Sequence, residues 1–215
     1  KSTLGNLLKE ELKDYGYKPC VMQITSPLYD YAENYFDYDP NRDPKPREFL
    51  QKMGIEIIKE KLGKKDFLLN RLYEDIEILS NFFDAFIITD ARLINELLSI
   101  RAKYDDVVTI KLVRRDYDDE LTEEEKNHIT EKEISMYNDF DYIINTTPVG
   151  MYPNVDDYLE LPYSTIEQHN VFIDLIYNPL ETMFLKNAKS YGAATYNGLK
   201  MLYGQAEAAW KIWNK

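Results

Sequence analysis

Short apolar runs of strand length recur along this chain, each separated from the next by a longer segment with helical spacing, and that alternation admits few folds. The runs are Cys20–Thr25, Ala85–Asp90, Val107–Val113, Phe140–Asn145 and Val171–Ile176. A continuous apolar run bounded by turn residues suits a strand covered on both faces, which is the situation in a parallel sheet. Between the runs, leucines at 4, 7, 8 and 12 before Gly16 predict a helix over 3–15. Helical periodicity returns after Arg47, over 65–82, near 92–102, over 181–191 and over 199–213, with one more short strand at 194–197. Strand and helix in regular alternation predict an α/β protein, three-layer α/β/α with a mainly parallel sheet. The stretch YDPNRDPKP at 38–46 is a turn-rich loop, since proline, aspartate and asparagine favour turn conformations.

Composition narrows the function classes. Hydrophobic residues make up 44% of the 215 and charged residues 30%, the balance of a chain that packs a core. No apolar run reaches the roughly 20 residues a membrane-spanning helix needs, so no membrane partner is expected. A single cysteine, Cys20, cannot form an internal disulfide, and with only two histidines a structural zinc site has too few ligands. A reducing cytoplasm is the expected compartment. Asp and Glu outnumber Lys and Arg 38 to 26, a formal charge of -12, which repels nucleic-acid polymers but leaves room for a small phosphorylated ligand held by local cations. The eight glycines include no G-x-G-x-x-G spacing, so the turn that brings a backbone against a dinucleotide pyrophosphate is not encoded.

Two stretches carry family resemblances. Lys1-Ser2-Thr3 directly before a helix looks like the end of a phosphate-binding loop, and KPREFLQKMG at 45–54 with ITDARLINEL at 88–97 resembles segments of deoxynucleoside monophosphate kinases of the adenylate-kinase group. This resemblance covers residues 1–145, a P-loop kinase-like domain whose first strand and glycine loop would precede Lys1. It implies an ATP- and Mg²⁺-dependent transferase acting on a small-molecule nucleotide. Lys1 would reach the phosphates, Ser2 and Asp90 would hold the metal and Thr3 would support the turn. Arg47 and Gln51 would hold the acceptor monophosphate, while Arg92, Arg114 and Arg115 would neutralise the transferring group. From the residues alone, Asp90 also reads as a helix cap, Arg92 as a surface ion-pair member, and the acidic run Asp116–Glu125 as a solvated face. His128 shows no convincing partner.

From Ile144 the sequence resembles the carboxyl-terminal part of shikimate dehydrogenase, through NTTPVGM at 145–151, DLIYNPLET at 174–182 and NGLKMLYGQA at 197–206. That resemblance implies an NADP-dependent oxidoreductase segment over 146–215, with Thr147, Leu175, Gly198 and Met201 lining the nicotinamide side and Tyr177 and Gln205 facing shikimate. The family's catalytic lysine and aspartate and its phosphate-binding glycines have no counterpart here. On physical grounds Gly198 is a turn before a helix, Met201 a core residue and Gln205 a polar residue on a helix face. The two resemblances meet at Asp141–Asn145, which implies a chimera joined within a shared strand. The principal expectation is phosphoryl transfer to a nucleoside monophosphate. The alternatives are a shikimate dehydrogenase fragment and a non-catalytic chimera, with oligomeric state left open.

Overall fold

In the computed structural model, residues 2–91, 93–113 and 139–214 are described. The chain divides into two compact units, Lys1–Leu98 and Ser99–Lys215. Every strand pairing among the described residues is parallel, in a two-stranded sheet and a four-stranded sheet, so the α/β class holds.

In the first unit, helix α1 (Ser2–Asp14) packs against β1 (Pro19–Met22) and β2 (Ala85–Ile88), which pair from Pro19 opposite Ala85 to Met22 opposite Ile88. Gly5 permits the close approach of α1, because a Cβ there would collide with the Thr89 methyl group. Ser26-Pro27, read from sequence only as a strand stop, opens helix α2 (Ser26–Tyr35) with proline in its first turn, where the missing N–H is harmless. Leu28 and Ala32 on α2 are buried, as are Ile24, Ile58, Leu72 and Ile76. Arg47 opens the short helix α3 (Arg47–Gln51), which runs into a π-helical stretch, Lys52–Lys61. Helix α4 (Phe67–Leu79) precedes β2, and helix α5 (Ile94–Lys103) follows it.

The second unit holds the four-stranded sheet. Its order is β3 (Ile110–Val113), β4 (Tyr142–Asn145), β5 (Val171–Asp174) and β6 (Ala194–Tyr196), each strand laid beside the one before it. Helix α6 (Met183–Ser190) connects β5 to β6 and packs on both. Helix α7 (Leu199–Trp213) leaves from the end of β6. The core joins Val113, Ile143, Tyr163, Ile166, Phe172, Phe184, Leu185, Ala188 and Ala193, with the Phe172 and Phe184 rings 5.2 Å apart. Burying these two rings, together with Leu185 and Ala188, removes apolar surface from water and favours the packing of α6 on the sheet.

An ion pair fastens the other end of the sheet. Arg101 on α5 donates through both terminal nitrogens, Nη1 to the Asp139 carbonyl at 3.0 Å and Nη2 to both Asp141 carboxylate oxygens at 2.8 and 2.7 Å. The Thr109 N–H and hydroxyl donate to the same carboxylate. Burial pushes the Asp141 carboxyl up, but the Thr109 donors and the Arg101 guanidinium together hold it below the ordinary carboxylate range.

Among the described residues no helix is long and apolar enough to cross a membrane.

Candidate functional site

Parallel strands end together, so the residues just beyond their carboxyl ends form one edge, where ligands of open α/β sheets collect. In the second unit that edge is built by the ends of β4, β5 and β6. Asn145 ends β4 and stands opposite Asp174, which ends β5. Both are fully buried, as is Thr182 at the start of α6, and Thr147 is 5% exposed.

These four polar side chains form one hydrogen-bonded network. Asn145 Nδ2 donates to Asp174 Oδ1 at 3.1 Å, and Asn145 Oδ1 accepts from the Thr147 N–H at 2.9 Å and its hydroxyl at 2.8 Å. Asp174 Oδ1 also accepts from the Ile176 N–H at 3.0 Å, while Oδ2 accepts from the Thr182 hydroxyl at 2.6 Å. Thr182 in turn caps α6 by accepting from the Leu185 N–H at 3.4 Å. Burial raises the Asp174 carboxyl above its ordinary value, against the opposing pull of donors from Thr182, Ile176 and Asn145.

Beyond the network lies a more open surface. Leu175, Tyr177 and Met201 are 36%, 46% and 40% exposed, which leaves two apolar side chains and a phenol at the sheet edge. Gly198 is buried and donates its N–H to the Ile176 carbonyl at 3.0 Å. A Cβ on Gly198 would collide with the Leu175 carbonyl oxygen, so only glycine allows the turn after β6 to lie against the end of β5. Asn197 Nδ2 reaches back to the Leu180 carbonyl at 2.8 Å and ties the same two loops.

The expected residues of this segment thus share one edge. Thr147 follows β4, Leu175 and Tyr177 follow β5, and Gly198 and Met201 follow β6. Gln205 is exposed two turns into α7, and Met201, read from sequence as core, is also exposed. Sequence reasoning did not single out Asn145, Asp174, Thr182 or Asn197 as site residues. A signal existed: Asn145 opens the quoted stretch NTTPVGM, and Asp174 and Thr182 open and close DLIYNPLET.

The other expected residues precede this segment in the sequence. Lys1, Arg92, Arg114, Arg115, the run Asp116–Glu125 and His128 fall outside the described residues, as does the Ser2 side chain. Thr3 is exposed on α1, Arg47 is exposed at the start of α3, and Gln51 closes that helix. Asp90 is occupied structurally. Its Oδ1 accepts from the Ile24 N–H at 2.7 Å, and its Oδ2 accepts from the Thr25 N–H at 3.0 Å and hydroxyl at 2.6 Å. Those bonds pin the segment after β1 to the end of β2. Among the described residues no three His, Cys, Asp or Glu side chains converge as metal ligands.

No protein-family model matches the chain. It is 54% identical over 74 residues to the NADP(+) shikimate dehydrogenase of Methanococcus maripaludis strain S2, a match covering 34% of this chain and 27% of that protein. A second relative, the shikimate dehydrogenase of Methanococcus maripaludis strain C7, is 40% identical over 103 residues, 48% of this chain and 36% of its own length. A crystal structure of a shikimate dehydrogenase in complex with NADP+ aligns over 35% of this chain and 26% of that one, with 50% identity and a TM-score of 0.34. The chain spans roughly a quarter to a third of the curated relatives it matches.

A segment of the chain is therefore shikimate-dehydrogenase-like. The relatives also correct the principal expectation. They are NADP-dependent oxidoreductases, and nucleoside monophosphate phosphorylation, with its ATP, Mg²⁺ and nucleotide substrate, is overturned as the reading of this protein.

Proposed function

We propose that the segment from Ile144 onward forms the nicotinamide-facing half of an NADP-dependent shikimate dehydrogenase site, serving the interconversion of shikimate and 3-dehydroshikimate. The observation that carries this reading is the gathering of Thr147, Leu175, Tyr177, Gly198 and Met201 at the carboxyl ends of three adjacent parallel strands. The sequence identity to the Methanococcus maripaludis enzyme supports it.

The residues present suit the nicotinamide end of the cofactor. Gly198 lets the turn after β6 pack directly on the Leu175 carbonyl, and the exposed Leu175 and Met201 beside it offer apolar surface to a flat ring. They do not suit its pyrophosphate end, because the eight glycines include no G-x-G-x-x-G turn. When bound, NADP supplies or accepts the hydride. The chain's own part is to orient the ring, through Thr147 and the backbone around Leu175 and Gly198, and to exclude water with Leu175 and Met201. Tyr177 and Gln205 present a hydroxyl and an amide toward a polar hydroxy acid. The reaction also needs a proton-transfer partner at the substrate hydroxyl. The lysine and aspartate that the family uses have no counterpart among these 215 residues, so the part proposed for this segment is binding and orienting the ring and substrate, not the proton transfer.

Complementation tests the reading. The chain is mixed with the amino-terminal substrate domain of the Methanococcus maripaludis enzyme, and shikimate-dependent NADPH formation is followed by absorbance. Turnover above that of either piece alone is expected. Absence of turnover, together with absence of any thermal shift with NADP or shikimate, rejects the reading and leaves a non-catalytic protein.

A further inference from the structure

Farther out, the loops after β4 and β5 are joined by one backbone bond, from the Tyr152 N–H to the Asn178 carbonyl at 3.2 Å; next to the strands both converge on one side chain. Asp174 holds the loop after β5 directly, through the Ile176 N–H at 3.0 Å and the Thr182 hydroxyl at 2.6 Å. It holds the loop after β4 indirectly, through Asn145, whose side-chain oxygen accepts both the N–H and hydroxyl of Thr147. A fully buried carboxylate is an expensive way to fill space, and an apolar side chain would pack the same volume without desolvating a charge. All the partners around Asp174 are donors, so what the position requires is a pair of acceptor oxygens aimed at two loops.

We propose that Asp174 is the positioning residue of this site, acting on Ile176 directly and on Thr147 through Asn145, so that one buried side chain sets the spacing of the two loops that flank the nicotinamide ring. The ligand in this statement rests on the dehydrogenase reading; the clamp between the loops does not. Asparagine at 174 keeps an oxygen for Ile176 and Asn145 and turns its amide toward the Thr182 oxygen. Leucine fills the space but leaves three donors without an acceptor.

The experiment uses the full chain labelled with ¹⁵N, measuring amide hydrogen exchange and resonance shifts on titration with NADP, in the parent and in Asp174→Asn, Asp174→Leu and Asn145→Leu. In Asp174→Leu the Thr147 and Ile176 amides are expected to exchange about tenfold faster, the scale of one lost hydrogen bond, while the Phe172 amide in β5 keeps its rate. The NADP dissociation constant rises by a similar factor, and Asp174→Asn stays within about threefold of the parent on both measures. In Asn145→Leu the Thr147 amide alone accelerates, because Ile176 keeps its acceptor. Uniform acceleration of all amides, parent-like behaviour of Asp174→Leu, or equal loss at Ile176 and Thr147 in Asn145→Leu overturns the proposal. If Asp174→Leu does not fold, the Asn145→Leu pattern decides it. A parent chain that shows no shift with NADP removes the dehydrogenase reading, and the exchange pattern then decides the clamp by itself.

Discussion

Asn145 and Asp174 face each other in register at the carboxyl ends of β4 and β5, and the amide of one donates to the carboxylate of the other across 3.1 Å. Two polar side chains thus replace the apolar pair that the preceding positions, Ile143 opposite Phe172, would lead one to expect at a fully buried place. Beyond each other, their partners are loop groups, so the polar pair marks where the sheet stops and the loops at its edge begin.

The titration of Asp174 follows from its surroundings. An unfolded aspartate titrates near about 3.9, and burial raises the folded value above that. A raised folded value means stability that is full below the unfolded pKa and is lost as pH rises through the folded one. Asp174→Asn lacks this loss. Its stability relative to the parent is expected to improve between acid and neutral pH, measured as urea midpoints over that range. A relative decline with rising pH would contradict the sign.

Arg101 and Asp141 have the opposite dependence. The folded Asp141 carboxyl lies below its ordinary value, so its contribution is present above the unfolded pKa and disappears as pH falls through the folded one. Arg101→Met is expected to lower stability by about 1–3 kcal/mol at neutral pH, because a partly buried carboxylate loses its cation. The difference shrinks in strong acid. Denaturant titrations of both proteins at the two pH values check this.

Gly198→Ala places a methyl group against the Leu175 carbonyl, and backbone must move to admit it. The expected loss is about 1–3 kcal/mol, the scale of overpacking, together with a weakened bond from the Gly198 N–H to the Ile176 carbonyl. Thermal unfolding measures the first effect, and faster hydrogen exchange of the Gly198 amide in the folded variant measures the second.

Asp90 is a structural fastener. Asp90→Ala removes the acceptor from the Ile24 N–H and from both donors of Thr25, and should destabilise by about 1–3 kcal/mol. Added Mg²⁺ should leave the thermal midpoint of the parent unchanged. A Mg²⁺-dependent rise that Asp90→Ala abolishes would show the carboxylate serving a metal after all.

Class, strand locations and the helices were legible in the primary structure because they follow from local periodicity: the apolar run Val171–Ile173 forms β5, and the leucines at 4, 8 and 12 form the half-buried face of α1, although Leu7 is exposed. Boundaries were less legible. The strand read at 107–113 begins at Ile110, and Ser26-Pro27 starts a helix where only a strand end was read. At the site, the motifs pointed to Thr147, Leu175 and Gly198, but the connections among Asn145, Asp174 and Thr182 join residues 29 and 8 positions apart. Linear spacing alone does not specify which acceptor a distant donor will meet. That is settled when the parallel register sets Asn145 beside Asp174 and when α6, packed on the sheet through Phe184, brings Thr182 to the same carboxylate. Local propensity and pattern act over a few residues and so belong to the chain itself, whereas burial, and with it the raised pKa of Asp174, exists only once separate elements have excluded water together.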